Sequence, residues 1–147
     1  MLKINRQTDY AVRVILLLAK QPAGAKLATA LIRDEMLIPG AFIPRIVARL
    51  AAAGLVITYP GRDGGITLAR PAEQITMLQV VEAFEGKLCL SECFEGGSVD
   101  CPFENGCPVR GRWGRLQAAM ARELNNMNFA DIARQEEAAL IPAAGCG

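Results

Sequence analysis

The chain has no histidine, only eight aromatic residues (five Phe, two Tyr, one Trp) among its 147, and no close Cys-x-x-Cys pair. Without histidine, any metal or cluster site has to draw on other donors. Few aromatics leave aliphatic packing as the main source of core stability. No uncharged apolar run reaches the roughly 18 residues of a membrane-spanning helix, and MLKINRQTDYAVR lacks the charged-then-apolar order of a secretory signal. No membrane association and a cytoplasmic location are therefore expected. No phosphate-cradling glycine loop and no substrate-sized catalytic constellation accompanies the cysteines, which leaves a small redox enzyme as the weaker alternative.

What is present is unevenly distributed. An apolar content of 52% over 147 residues fits one domain, or a compact domain with an appendage. Residues 1–70 carry ten Lys/Arg against four Asp/Glu, a net +6, whereas residues 71–147 carry six against eleven, a net −5. The first part has the polarity expected for nucleic acid. The second would be repelled by it unless neutralised or held away.

Apolar periodicity predicts a helix from near Asp9, capped by Thr8, with Tyr10, Val14, Leu17 and Leu18 on its buried face. A second helix runs through LATALIRDE with Leu27, Leu31 and Ile32 packed. After a turn from Met36 to Pro39, FIPRIVARLAAAGL carries a stripe of Phe42, Ile43, Ile46, Val47 and Leu50. Arg45 and Arg49 stand one turn apart on the other side, where a recognition helix meets guanine edges or phosphates in the major groove. Pro44 has no amide hydrogen, so the regular helix starts near it or bends there. Gly54 ends this run. LVITY and ITLAR then read as two strands around the turn PGRDGG, a wing whose Arg62 can reach the minor groove. In PAEQITMLQVVEAFEG, Thr76 caps a helix with a face of Met77, Val80, Val81 and Phe84, and Gly86 stops it.

Three thiols follow, Cys93, Cys101 and Cys107, in CFEGGSVDCPFENGC, separated by seven and then five residues. A stretch so rich in glycine, proline and acid buries little apolar surface, so a metal or cluster held by soft thiolates is the expected source of order. Loosely placed thiols in a flexible loop are the alternative. Glu92, Glu95, Asp100 and Glu104 disfavour further thiolate charge unless a cation or cluster compensates. Five cysteines cannot all pair within one chain, and a reducing compartment favours ligation over disulfides. Zinc, surrounded by three cysteines and a carboxylate or Cys89, competes with a cluster, although the spacings lack the compact knuckle of structural zinc sites.

Downstream, PVRGRWGRLQAAMARELNNM reads as a long helix with a ridge of Val109, Trp113, Leu116, Met120 and Leu124. Such a ridge seeks burial against the winged domain, another chain, or both. A homodimer is expected, with Trp113, Leu116, Met120 and Leu124 at its seam, because two reading helices then engage successive half-sites. Asn128 caps a smaller helix through FADIARQEE, and Cys146 in the terminal LIPAAGCG has no assignable role. The expected fold is mainly α with a small β-hairpin. It divides into a winged helix-turn-helix domain over 1–86, a cysteine-bearing loop over 87–107, a dimerisation helix and terminal helix over 108–137, and a tail over 138–147.

Taken in order, TDYAVR, FIPRIVARLAAAGLV, GRDGGITLARP, ITMLQVVEAFEG, the three cysteines and ELNNMNFADIA resemble the IscR/NsrR-type family of winged-helix transcription regulators across residues 1–137. The resemblance implies a homodimer on a near-palindromic operator, acting as a repressor under the control of an iron–sulfur cluster that senses redox state, nitric oxide or iron–sulfur status. It assigns Cys93, Cys101 and Cys107 as cluster ligands. The biogenesis branch adds a histidine where this chain has Arg110, so a direct copy of its [2Fe-2S] site is excluded. The nitric-oxide-sensing branch uses an aspartate from the first helix of the partner subunit, which matches Asp9, and this favours a [4Fe-4S] cluster. Cys89 is the competing fourth ligand; solvent, a small thiol or Glu92 could also fill the position. The biogenesis regulator's base-reading glutamate and wing arginine match Pro44 and Pro60, so its operator preference does not transfer, and Arg62 would serve the wing from a shifted position. A cluster-free or zinc-containing winged-helix regulator is the nearest alternative.

Overall fold

The computed structural model describes residues 3–95 and 100–135; Cys146 and the expected tail lie outside the described residues. The elements in order are α1 (Arg6–Ala19), α2 (Thr29–Glu35), α3 (Ile43–Ala52), β1 (Val56–Tyr59), β2 (Gly65–Leu68), α4 (Met77–Glu85), α5 (Arg110–Asn126) and α6 (Phe129–Gln135). Short 3-10 turns at Ala72–Gln74 and Glu92–Phe94 precede α4 and open the cysteine loop. This is the expected mainly helical, winged architecture with a two-stranded antiparallel sheet.

The start of α1 corrects the expected cap. Asn5, not Thr8, occupies the N-cap, its Oδ1 accepting from the Thr8 amide at 2.9 Å. Thr8 is fully buried one turn in, and its hydroxyl donates to Glu85 Oε1 at 2.5 Å. Pro44 sits in the first turn of α3, where a missing amide hydrogen leaves no ladder bond broken. Thr76 and Gln79 form a reciprocal capping box at α4, and Gly86 ends that helix with a φ of 84°.

The core is aliphatic. Val14, Ile15 and Leu18 of α1 pack with Ile32, Ile46, Leu50, Leu55, Ile66 and Val80, and Phe129 is its largest fully buried side chain. One expected core position is exposed: α2 places Ile32 in the core, but Leu31 beside it is 43% exposed, because neighbouring positions on a helix point about 100° apart. Helix α6 returns to the winged domain. Its Asn128 cap accepts from the Asp131 amide at 2.9 Å, while Phe129 N donates to Ile75 O at 3.0 Å and Met77 N to Met127 O at 2.8 Å. Residues 129–135, grouped by sequence with the long helix, thus complete the core of the first 86.

In the wing, Val56 pairs with Leu68 and Tyr59 with Gly65. Leu27 bridges the other edge of β2, exchanging backbone hydrogen bonds with Ile66 at 2.8 and 3.0 Å. Gly65 permits that approach: its φ is 153°, and a Cβ there would lie 2.4 Å from Leu27 O. Gly65→Ala is expected to destabilise the protein by about 1–3 kcal/mol in urea unfolding. Unaltered stability would show that the wing does not need this contact.

Candidate nucleic-acid interface and cysteine loop

The helix-turn-helix presents Arg45 on α3, exposed and without a hydrogen bond or ion pair among the described residues. Arg62 is likewise exposed in the wing turn, which Gly64 N closes by donating to Gly61 O at 3.0 Å. Arg49 is placed differently from Arg45. Its guanidinium lies 5.3 Å from the centroid of the Phe84 ring, and Nη1 donates to Phe84 O at 3.5 Å. Two groups beside the wing were not singled out by sequence. Lys26 stands 5.3 Å above the Tyr59 ring, carried there by the Leu27–Ile66 pairing. That pairing joins residues 39 apart, so no local pattern announces it.

The cysteine loop is stapled to α5. Leu90 N donates to Gln117 Oε1 at 3.0 Å, and Arg110 Nη2 donates to Cys93 O at 3.4 Å while its guanidinium covers the Phe94 ring at 5.8 Å. Gly114 faces that ring, and a Cβ there would meet Phe94 Cζ at an ordinary contact distance of 3.5 Å. Arg110 thus acts as a clamp on the loop backbone, a role suited to a guanidinium that donates but cannot accept. Around Ser91, Cys89 Sγ donates to the Ser91 carbonyl at 3.1 Å, and Ser91 Oγ lies 3.2 Å from Cys93 Sγ.

Cys89, Cys93, Cys101 and Cys107 are all free and half-buried. The chemistry of this donor set fits a thiophilic metal or iron–sulfur cluster, with soft donors sheltered yet reachable. Among the described residues of one chain, however, no three Cys, Asp or Glu converge as a metal site. Asp9 is not gathered with the cysteines; its carboxylate pairs with Arg13 at 2.7 Å, and both side chains are about half exposed. Glu85 carries a carboxyl held below its usual range, first by the Thr8 hydroxyl and, against the opposing cost of desolvation, by Asn5 and lastly the charge of Arg49.

Helix α5 buries none of its 17 residues. Trp113 is 47% and Leu116 44% exposed, while half-buried Met120 and Leu124 line an open groove of about 650 Å3 with Ile4, Val81, Leu88 and Cys89. The expected seam residues therefore split between an outward ridge and the groove against α4. Among the described residues, no helix is long and apolar enough to cross a membrane.

A family profile described as Rrf2, iron-dependent transcriptional regulator, matches residues 4–135. The chain belongs to the Rrf2 family. This Rrf2 chain is 37% identical to protein aau3 of Rhizobium meliloti over 84% of its own length and 75% of that protein's. It is 29% identical to the HTH-type transcriptional regulator NsrR of Shouchella clausii, over 92% and 91% of the two chains. Its fold matches the structure of CymR, the global cysteine regulator of B. subtilis, with a TM-score of 0.73 and 25% identity, over 91% of this chain and 98% of that one. The Rrf2 chain is thus a transcriptional regulator with a DNA-binding winged helix, and its relatives are regulators, not enzymes.

Proposed function

We propose that this Rrf2 regulator works as a homodimer, joined along α5, that represses transcription from a near-palindromic operator according to the state of an iron–sulfur cluster. The observation that carries the dimer is α5 itself: 17 residues long, nothing buried, with Trp113 and Leu116 outermost. Helix α3 supplies the major-groove reader and Arg62 the wing contact. Cys93, Cys101 and Cys107 would hold the cluster, [4Fe-4S] in preference to [2Fe-2S], with Asp9 of the partner subunit as fourth ligand and Cys89 as its competitor. The group would supply iron and sulfide chemistry open to oxidants and nitric oxide. The chain's own part is to hold the loop on α5 through Arg110 and Gln117, and to keep α1, which carries Asp9, packed on α4.

Arg45 tests the DNA reading. Arg45→Ala is expected to weaken operator binding by about 1–3 kcal/mol if it meets a base, and to relax sequence preference there. The measurement is titration of a duplex enriched from random sequence by the wild-type protein, alongside single-base variants of that duplex. Equal binding by mutant and parent across those variants would remove Arg45 from the interface.

A further inference from the structure

We infer that Arg49 is a positioning residue, one that fastens the recognition helix to the end of α4, and not a contact to DNA. The assignment rests on α3 being the DNA-reading helix, and it separates two arginines that sequence alone treats alike. Arg49 is in the last turn of α3. Its guanidinium covers the Phe84 ring at 5.3 Å and donates to the Phe84 carbonyl at 3.5 Å. That carbonyl belongs to the last turn of α4, where helix geometry leaves acceptors without intrahelical partners and the helix dipole favours a cation. Swinging the guanidinium off the Phe84 ring toward phosphate would give up both contacts. Arg45, one turn earlier, has no such seat.

The seat lies where three segments meet. Glu85, next to Phe84, accepts from the Asn5 amide at 3.0 Å and the Thr8 hydroxyl at 2.5 Å, fixing the start of α1 just ahead of Asp9. Gly86 follows with a φ of 84°, and Cys89 stands three residues beyond it on the loop. The charge of Arg49 adds, after the Thr8 and Asn5 hydrogen bonds, to what holds Glu85 ionised at this junction. A shift in the loop or in α1 therefore reaches α3 through Phe84 and Glu85, with Arg49 as the fastening on the DNA-reading side.

The test compares full-length wild type, Arg45→Ala and Arg49→Ala. Binding to random-sequence duplex DNA is measured across a salt series. A lost phosphate contact lowers the slope of log affinity against log salt by about 0.9. Arg49→Ala is expected to keep the wild-type slope, yet to lose roughly two- to thirtyfold in preference for the enriched duplex over random duplex. Without DNA, amide exchange at Gly86, whose N–H donates to Glu82 O at 3.1 Å, is expected to quicken in Arg49→Ala and not in Arg45→Ala. A slope reduced by about 0.9 per subunit, about 1.8 for the dimer, in Arg49→Ala, or unchanged exchange at Gly86, would overturn the assignment. If wild type binds no duplex at all, the DNA-reading proposal fails, and the exchange comparison decides separately whether Arg49 fastens α3 to α4.

Discussion

Leu116→Glu is expected to leave a folded monomer whose affinity for a two-half-site duplex is reduced roughly 10²–10⁴-fold. Leu116 is 44% exposed within its own chain, so a carboxylate there meets water in the monomer and does not disturb the core. In a dimer joined along α5 the same carboxylate would lose its hydration without gaining a partner, and the seam would open. Each half then binds its half-site alone, without the effective concentration supplied by the other. Light scattering gives the mass and duplex titration the affinity, both at one protein concentration. A mutant that stays dimeric would place the seam elsewhere, and a monomer with undiminished affinity would separate dimerisation from DNA reading.

The second large effect is on stability. Phe129→Ala is expected to cost about 3–5 kcal/mol, measured by urea unfolding at fixed protein concentration because self-association adds to apparent stability. Phe129 is fully buried at the start of α6, and its amide is tied to Ile75, itself fully buried. Truncation leaves a cavity between α1 and the 3-10 turn ahead of α4, elements too well packed to collapse fully around it. A loss under about 1 kcal/mol would mean that α6 is a detachable appendage and not part of the winged domain's core.

The helix-turn-helix and the wing were legible because each rests on local signals. The stripe Ile43, Ile46 and Leu50, the Thr76 cap, the Gly86 stop and the Asn128 cap all follow from local residues about a turn apart. What escaped the sequence is set by contacts distant along the chain. Thr8 has the composition of a cap, but Asn5 takes that place and Glu85, 77 residues away, takes the Thr8 hydroxyl. Arg45 and Arg49 share a helix face by spacing, and only the position of Phe84 distinguishes them. Arg110 could be read from composition as a poor ligand, whereas its hold on Cys93 and Phe94 depends on how the loop lies against α5. Lys26 reaches Tyr59 only because Leu27 pairs with Ile66.

The most direct test is to titrate a wild-type-enriched duplex with protein purified without oxygen, before and after removal of its metal, while counting iron, inorganic sulfide and zinc in the same samples. The account predicts iron and sulfide in equal amounts, negligible zinc, and a clear change in duplex affinity once they are removed. Stoichiometric zinc without sulfide, or an affinity indifferent to metal removal, would contradict it.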